Sequence, residues 1–180
     1  MLIYENKKEI FMTKPTAIVY TTKMGHTRQY AEILSEITGL KTFSLDEALK
    51  NLPKESPIIY LGNINASCIK GFSRAVKRFR VCAVCGVGLC DTGTLLEEVR
   101  AKTAVPAEIP LFTLQGGINR DNLKGADKML ISMLIKGLEK TKQRSEQDER
   151  MLELLSSNAN FVSRENLSTF LKWYSDYCSR

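Results

Sequence analysis

Histidine is nearly absent from this chain: His26 stands alone among 180 residues. A zinc site built on imidazoles is therefore disfavoured, because His26 has no second histidine to share the ion. Long apolar runs are missing too, and none approaches the roughly 18–20 residues that a bilayer-spanning helix needs. Cysteine is sparse. The five thiols, Cys68, Cys82, Cys85, Cys90 and Cys178, suit a reducing compartment better than a disulfide framework, so a cytoplasmic location is expected. Cys82-Ala-Val-Cys85 has the spacing of a redox or zinc pair, yet residues 81–85 read as a buried strand. Residues three apart on a strand face opposite ways, so the two thiols should diverge and behave as small buried hydrophobes.

Two nucleotide motifs are also absent. No G-x-G-x-x-G follows the first apolar run, which counts against a dinucleotide cofactor, and no G-x-x-x-x-G-K-[ST] is present for a nucleoside triphosphate. The opening stretch does not read as a secretory leader, because Lys7 and Lys8, flanked by Glu5 and Glu9, interrupt it where an apolar core should lie. Residues 1–14 read as an N-terminal extension, with Met12 as an alternative start.

What is present suits one soluble globular domain over residues 15–180. The chain is 43% hydrophobic and long enough to bury a substantial core. Its formal net charge of +6 favours anionic partners. The aromatics are not interleaved with the basic residues, so no nucleic-acid partner is expected.

Strand-like and helix-like segments alternate. Strands are expected near 16–20, 41–44, 57–61, 81–85 and 110–115. Helices are expected near 26–38, 45–52, 72–79, 94–101 (starting at Thr94) and 163–177. The order predicts an α/β fold: a doubly wound, five-stranded parallel sheet with helices on both faces. In such a sheet ligands sit outside the carboxyl ends of the strands, where the strand order reverses. Three of those ends carry loop-forming residues, at 21–27, 62–71 and 86–93.

The first of these loops is the most informative. Ala17-Ile-Val-Tyr20 is a short β-prone run, and Thr21-Thr-Lys-Met-Gly-His-Thr27 leads from it into a helical pattern. A turn of this kind aims backbone N–H groups and Thr hydroxyls at one point, where the positive end of the helix dipole adds its field. A phosphate fits such a point.

After the fifth strand, residues 118–160 form a long helical insertion. Met129-Leu-Ile-Ser-Met-Leu-Ile-Lys-Gly-Leu138 is strongly apolar, Lys140, Lys142 and Arg144 follow it, and Ser145-Glu-Gln-Asp148 has the pattern of a helix N-cap. One reading packs these helices on the domain. The other lays residues 129–144 on a membrane surface or partner, through Met129, Leu130, Met133, Leu134, Lys136, Lys140 and Lys142.

By element order and loop placement, residues 16–177 resemble a flavodoxin-type FMN protein, and more closely the menaquinone-dependent protoporphyrinogen oxidase branch. The family's first turn usually reads [ST]-x-[ST]-G-N-T. Here Thr22, Gly25 and Thr27 match in Thr22-Lys23-Met24-Gly25-His26-Thr27, while Met24 replaces a hydroxyl residue and His26 an asparagine. Asn63-Ile64-Asn65-Ala66-Ser67 matches the loop after strand three, and Gly86-Val87-Gly88-Leu89-Cys90-Asp91 the loop after strand four. Neither carries the Trp or Tyr that stacks on the ring in many electron carriers. The insertion resembles that branch's own.

The resemblance implies an FMN-binding redox protein, either an electron-transfer module or an oxidoreductase. The six residues 22–27 would hold the phosphate, and 63–67 with 86–91 would border the ring. A redox partner or a small electron acceptor such as a quinone would complete the reaction. No side chain stands out as a general acid or base. Met24 and His26 motivate the alternative, a protein of this fold that has lost FMN and serves as a binding module.

Overall fold

The computed structural model describes residues 13–179. The extension expected at 1–14, with its alternative start at Met12, lies almost wholly outside them. Five parallel strands form the body of the sheet: β1 (Ala17–Thr21), β2 (Lys41–Ser44), β3 (Pro57–Asn65), β5 (Arg80–Gly88) and β6 (Leu111–Gln115), in the order β2-β1-β3-β5-β6. The two-residue β4 (Cys68–Ile69) pairs antiparallel with β3, so among the described residues the sheet has six strands, where the sequence suggested five.

Both faces of the sheet are covered, which is why β1, β3 and β5 are largely apolar, while the edge strand β2 is Lys-Thr-Phe-Ser with no buried residue. Ala17, Val19, Ile58 and Tyr60 point to one face and pack against α2 (Leu45–Asn51), α3 (Phe72–Arg78) and α4 (Leu96–Thr103). Ile18, Ile59, Ala83 and Cys85 point to the other, against α1 (His26–Thr38) and α7 (Ser168–Cys178). Helix ends follow local chemistry. A reciprocal Ser44–Glu47 capping box starts α2, and Gly39, at φ 73°, ends α1. Helix α4 starts one residue beyond a left-handed Leu95 (φ 57°). Thr94 does not cap it: its hydroxyl instead donates to the Asp91 carbonyl at 2.6 Å in the preceding turn. Helix α7 likewise starts later than expected, after a 3-10 turn at Glu165–Leu167.

Two further departures bear on the site. Strand β3 does not stop at Gly62 but runs on to Asn65 and reverses through Ala66 and Ser67 (φ 50° and 58°) into β4. Two consecutive positive φ values are those of a type I′ hairpin turn, an unusual conformation for residues with a Cβ. The hairpin lies on the neighbouring strand so closely that a Cβ on Gly86 would come within 2.9 Å of Ile64 Cδ1. In β5 the register slips between Ile58↔Val81 and Ile59↔Ala83, making Cys82 the extra residue of a bulge. The bulge breaks the alternation expected of the two thiols. The Cys82 thiol and the Tyr177 hydroxyl of α7 both donate to the Thr13 carbonyl, at 3.6 and 3.3 Å, on the same face where Cys85 is fully buried.

The insertion has a defined stem. β7 (Gly117–Ile118) and β8 (Ala159–Asn160) form an antiparallel ribbon, and α5 (Gly125–Lys140) and α6 (Glu146–Ser156) lie between them. Ser145 caps α6 through the expected capping box, with Asp148 as its partner. A third small core of Ile118, Leu123 and Leu155, with Ile131, Ile135 and Leu138 of α5 against it, holds the segment together.

Candidate anion-binding cleft

The strand order reverses between β1 and β3, and at their carboxyl ends lies a cavity of about 390 Å³. Its floor is the start of α1. His26 and Thr27 are 7% and 1% exposed, and neither side chain has a hydrogen-bond partner among the described residues. The N-cap residue is Gly25 (φ 94°), so no side chain caps the helix. Within the turn Gly25 N–H donates to Thr22 Oγ1 at 3.1 Å, and the first closed helical bond runs from Gln29 N–H to Gly25 O at 3.0 Å. The N–H groups of His26, Thr27 and Arg28 therefore lack an acceptor within the helix. A buried helix start with free donors and a positive dipole end is a site for an anion.

Side-chain charge contributes little to that field. Burial pushes the His26 imidazole below its ordinary value, which keeps it neutral at pH 7. Lys23 is neutralised by Asp127 of α5, Nζ to Oδ2 2.5 Å, and both side chains line the cavity.

Neighbouring bonds hold this floor in place. Tyr30 of α1 donates to the Gln115 carbonyl at 2.5 Å and accepts from Asn166 Nδ2 at 2.7 Å, tying the helix to β6 and to the approach to α7. The Tyr60 hydroxyl donates to Lys70 O at 2.7 Å, so Thr21 Oγ1, 2.8 Å away, donates to it. Burial raises the Tyr60 hydroxyl to about 12, so this link between β1, β3 and the end of the hairpin stays protonated. The hairpin itself is anchored outward, by Ser67 Oγ to Glu98 and by Ile69 N–H to Thr103 Oγ1 at 2.9 Å.

Most of the expected residues meet here: Thr22, Lys23, Met24, His26 and Thr27 from the turn, residues 63–66 from the hairpin, and 87–89 from the end of β5. Five do not line the cavity. Gly25 shapes the turn, Ser67 faces Glu98, and Gly86 lies beneath Ile64. Cys90 and Asp91 border a second cavity of about 650 Å³ on the far side of Leu89, where Asp91 Oδ1 accepts from Gln115 Nε2 at 3.1 Å. Met24 lines the cavity, but its side chain also packs against the small core of the insertion.

The sequence reading did not anticipate the opposite wall. Asp127, Leu130, Ile131 and Leu134 of α5 face the turn, with Leu123 and Gly117 beside them. Their i, i+3, i+4, i+7 spacing marks one helix face, but periodicity alone does not say what a face covers. Gly117 has a definite reason to be glycine: with φ 154°, a Cβ there would strike Ala159 O at 2.0 Å and come within 3.0 Å of His26 Nε2. Among the described residues no group of three His, Cys, Asp or Glu side chains could hold a metal ion. No protein-family model matches the chain, and neither a curated protein nor a solved structure is significantly similar to it.

Proposed function

We propose that this chain is a flavodoxin-like redox protein that binds FMN, with the phosphate on the turn 22–27 and the ring between the hairpin, the end of β5 and α5. The observation that carries the reading is the buried start of α1, with free N–H donors and neutral His26 and Thr27 at the floor of a cavity that sits where the parallel strand order reverses. The donor set suits one phosphate. Ile64, Ala66, Val87 and Leu89, with Leu130, Ile131 and Leu134 opposite, suit a flat apolar ring.

FMN, when bound, supplies one- and two-electron transfer. The residues of this chain hold and orient it. Backbone N–H groups and the Thr22 and Thr27 hydroxyls take the phosphate oxygens, and His26 can donate from its ring, whose protonated form a phosphate dianion nearby favours. Asn63 and Asn65 offer polar edges to the ring, and α5 shields it from water. A shielded ring supports an oxidoreductase acting on a small apolar acceptor, such as a quinone, over a carrier with an exposed ring edge.

Met24 favours a second reading. In place of a phosphate-facing hydroxyl, it contributes its side chain to the core of the insertion. A cleft that kept its shape but lost FMN would serve as a binding module. Absorbance and fluorescence titration with FMN, FAD and NAD separates the two. FMN should bind and NAD and FAD should not bind comparably. Thr27→Glu, which sets a carboxylate against the phosphate, should abolish FMN binding. Unchanged affinity in a folded Thr27→Glu protein would remove the site assignment.

A further inference from the structure

Helix α5 carries sixteen residues, about 24 Å of helix, and none of them is buried. Ile131, Ile135 and Leu138 lean on the insertion's core, so the opposite side of the helix is outward. There Met129, Met133, Lys136 and Lys140 follow one another at the i, i+4, i+7, i+11 spacing of a single stripe. Met129 and Met133 are 65% and 60% exposed, and both lysines are exposed as well. Leu130 and Leu134, 49% and 47% exposed, lie between this stripe and the mouth of the cavity. From Lys124 to Arg144 six cationic side chains face two acidic ones, Asp127 and Glu139, and Asp127 is already paired with Lys23.

We propose that α5 docks on the surface of an anionic lipid bilayer, its two methionines entering the headgroup boundary and Lys136, Lys140 and Lys142 lying against lipid phosphates. The chemistry fits that occupant better than others. An apolar face with cationic flanks has what an interfacial helix needs, and no described helix is long and apolar enough to cross the membrane. An isologous dimer through the same face would enclose four ammonium groups, two from each copy, with no carboxylate on the stripe to pair them. Docking this way sets the mouth of the cavity, rimmed by Leu130 and Leu134, against the lipid. A ligand dissolved in the bilayer then enters without crossing water. The docking itself does not depend on FMN.

Co-sedimentation of the full chain with phosphatidylcholine vesicles, with and without phosphatidylglycerol, tests this at low and high salt. Binding should require phosphatidylglycerol and should weaken as salt rises. Lys136→Glu with Lys140→Glu should lower it by about 30-fold or more, from the known energy of basic residues near anionic lipid. Met129→Ser with Met133→Ser should lower it several-fold while leaving circular dichroism and FMN titration unchanged, because neither residue lines the cavity. No binding at low salt would overturn the proposal, as would unchanged binding by the folded lysine variant. So would a dimer in sedimentation velocity that Met129→Ser with Met133→Ser dissolves, since the face would then belong to a second copy. FMN binding, read separately, stands or falls on its own titration.

Discussion

Strand β3 and helix α5 are both rich in apolar residues, and they fare in opposite ways. Ile58, Ile59, Tyr60 and Leu61 of β3 are wholly shielded, whereas Met129, Leu130, Met133 and Leu134 of α5 are each about half exposed or more. The difference lies in their neighbours. β3 sits at the centre of a sheet with a helix layer on each face, while α5 has one small core beneath it and nothing described above it. An apolar segment is buried when two layers close on it. One that meets a single layer is left with a surface to use.

The comparison breaks most visibly on truncation. Phe170 of α7 is fully buried and packs edge-on against Phe112 at 5.3 Å between ring centres, so Phe170→Ala should cost about 3–5 kcal/mol. Met133→Ala in α5 should stay within about 0.5 kcal/mol. Urea denaturation of both measures the contrast, and equal losses would mean that α5 is as tightly packed as the sheet.

A smaller effect is expected where the two regions meet. Asp127 brings a carboxylate to the rim of the candidate anion site and neutralises Lys23 there. Asp127→Asn should therefore tighten FMN several-fold, while stability falls by less than about 1 kcal/mol, as befits a partly exposed ion pair. Fluorescence titration beside a melting curve reads both; weaker FMN binding would show that the pair organises the turn instead of opposing the phosphate.

The smallest expected effect is a pH dependence from His26. Its folded value lies below the ordinary 6.5 because burial penalises the charged ring. The unfolded chain then binds the proton more readily. The contribution to stability is full above about 6.5 and is lost as pH falls from there through the folded value. A bound phosphate favours the protonated ring, so FMN affinity should move the other way and rise as pH falls. His26→Asn should flatten both profiles, and profiles that match those of the parent would place the ring's titration outside the site.

The sequence made α1 and the turn before it legible because their signals are local: a glycine before the helix, another after it, and a β-prone run feeding in. The β3–β4 hairpin left no such trace. Its two turn residues are Ala66 and Ser67, not the Asn-Gly that usually marks a type I′ turn, and contacts with Glu98 and Thr103 far along the chain hold it. The bulge at Cys82 is set by pairing with β3, which no single segment encodes. Met24 read as a loss to the phosphate site because its partners, in the insertion, lie a hundred residues away in sequence and nearby in space.

The β7–β8 ribbon gives the molecule a kind of modularity. Gly117 faces Asn160 across it, and Phe161 N–H reaches Gly116 O at 2.7 Å, so the chain leaves the body and returns through one doorway. The entropy of closing a loop rises only with the logarithm of its length, and the path of the body is the same whatever lies beyond the doorway. Descendants of this sequence can therefore lengthen, shorten or exchange that segment without redrawing the sheet. Because the doorway opens beside His26, each replacement would grow over the same floor, and diversification at this one point would remodel the roof of the cleft while the turn at 22–27 stayed as it is.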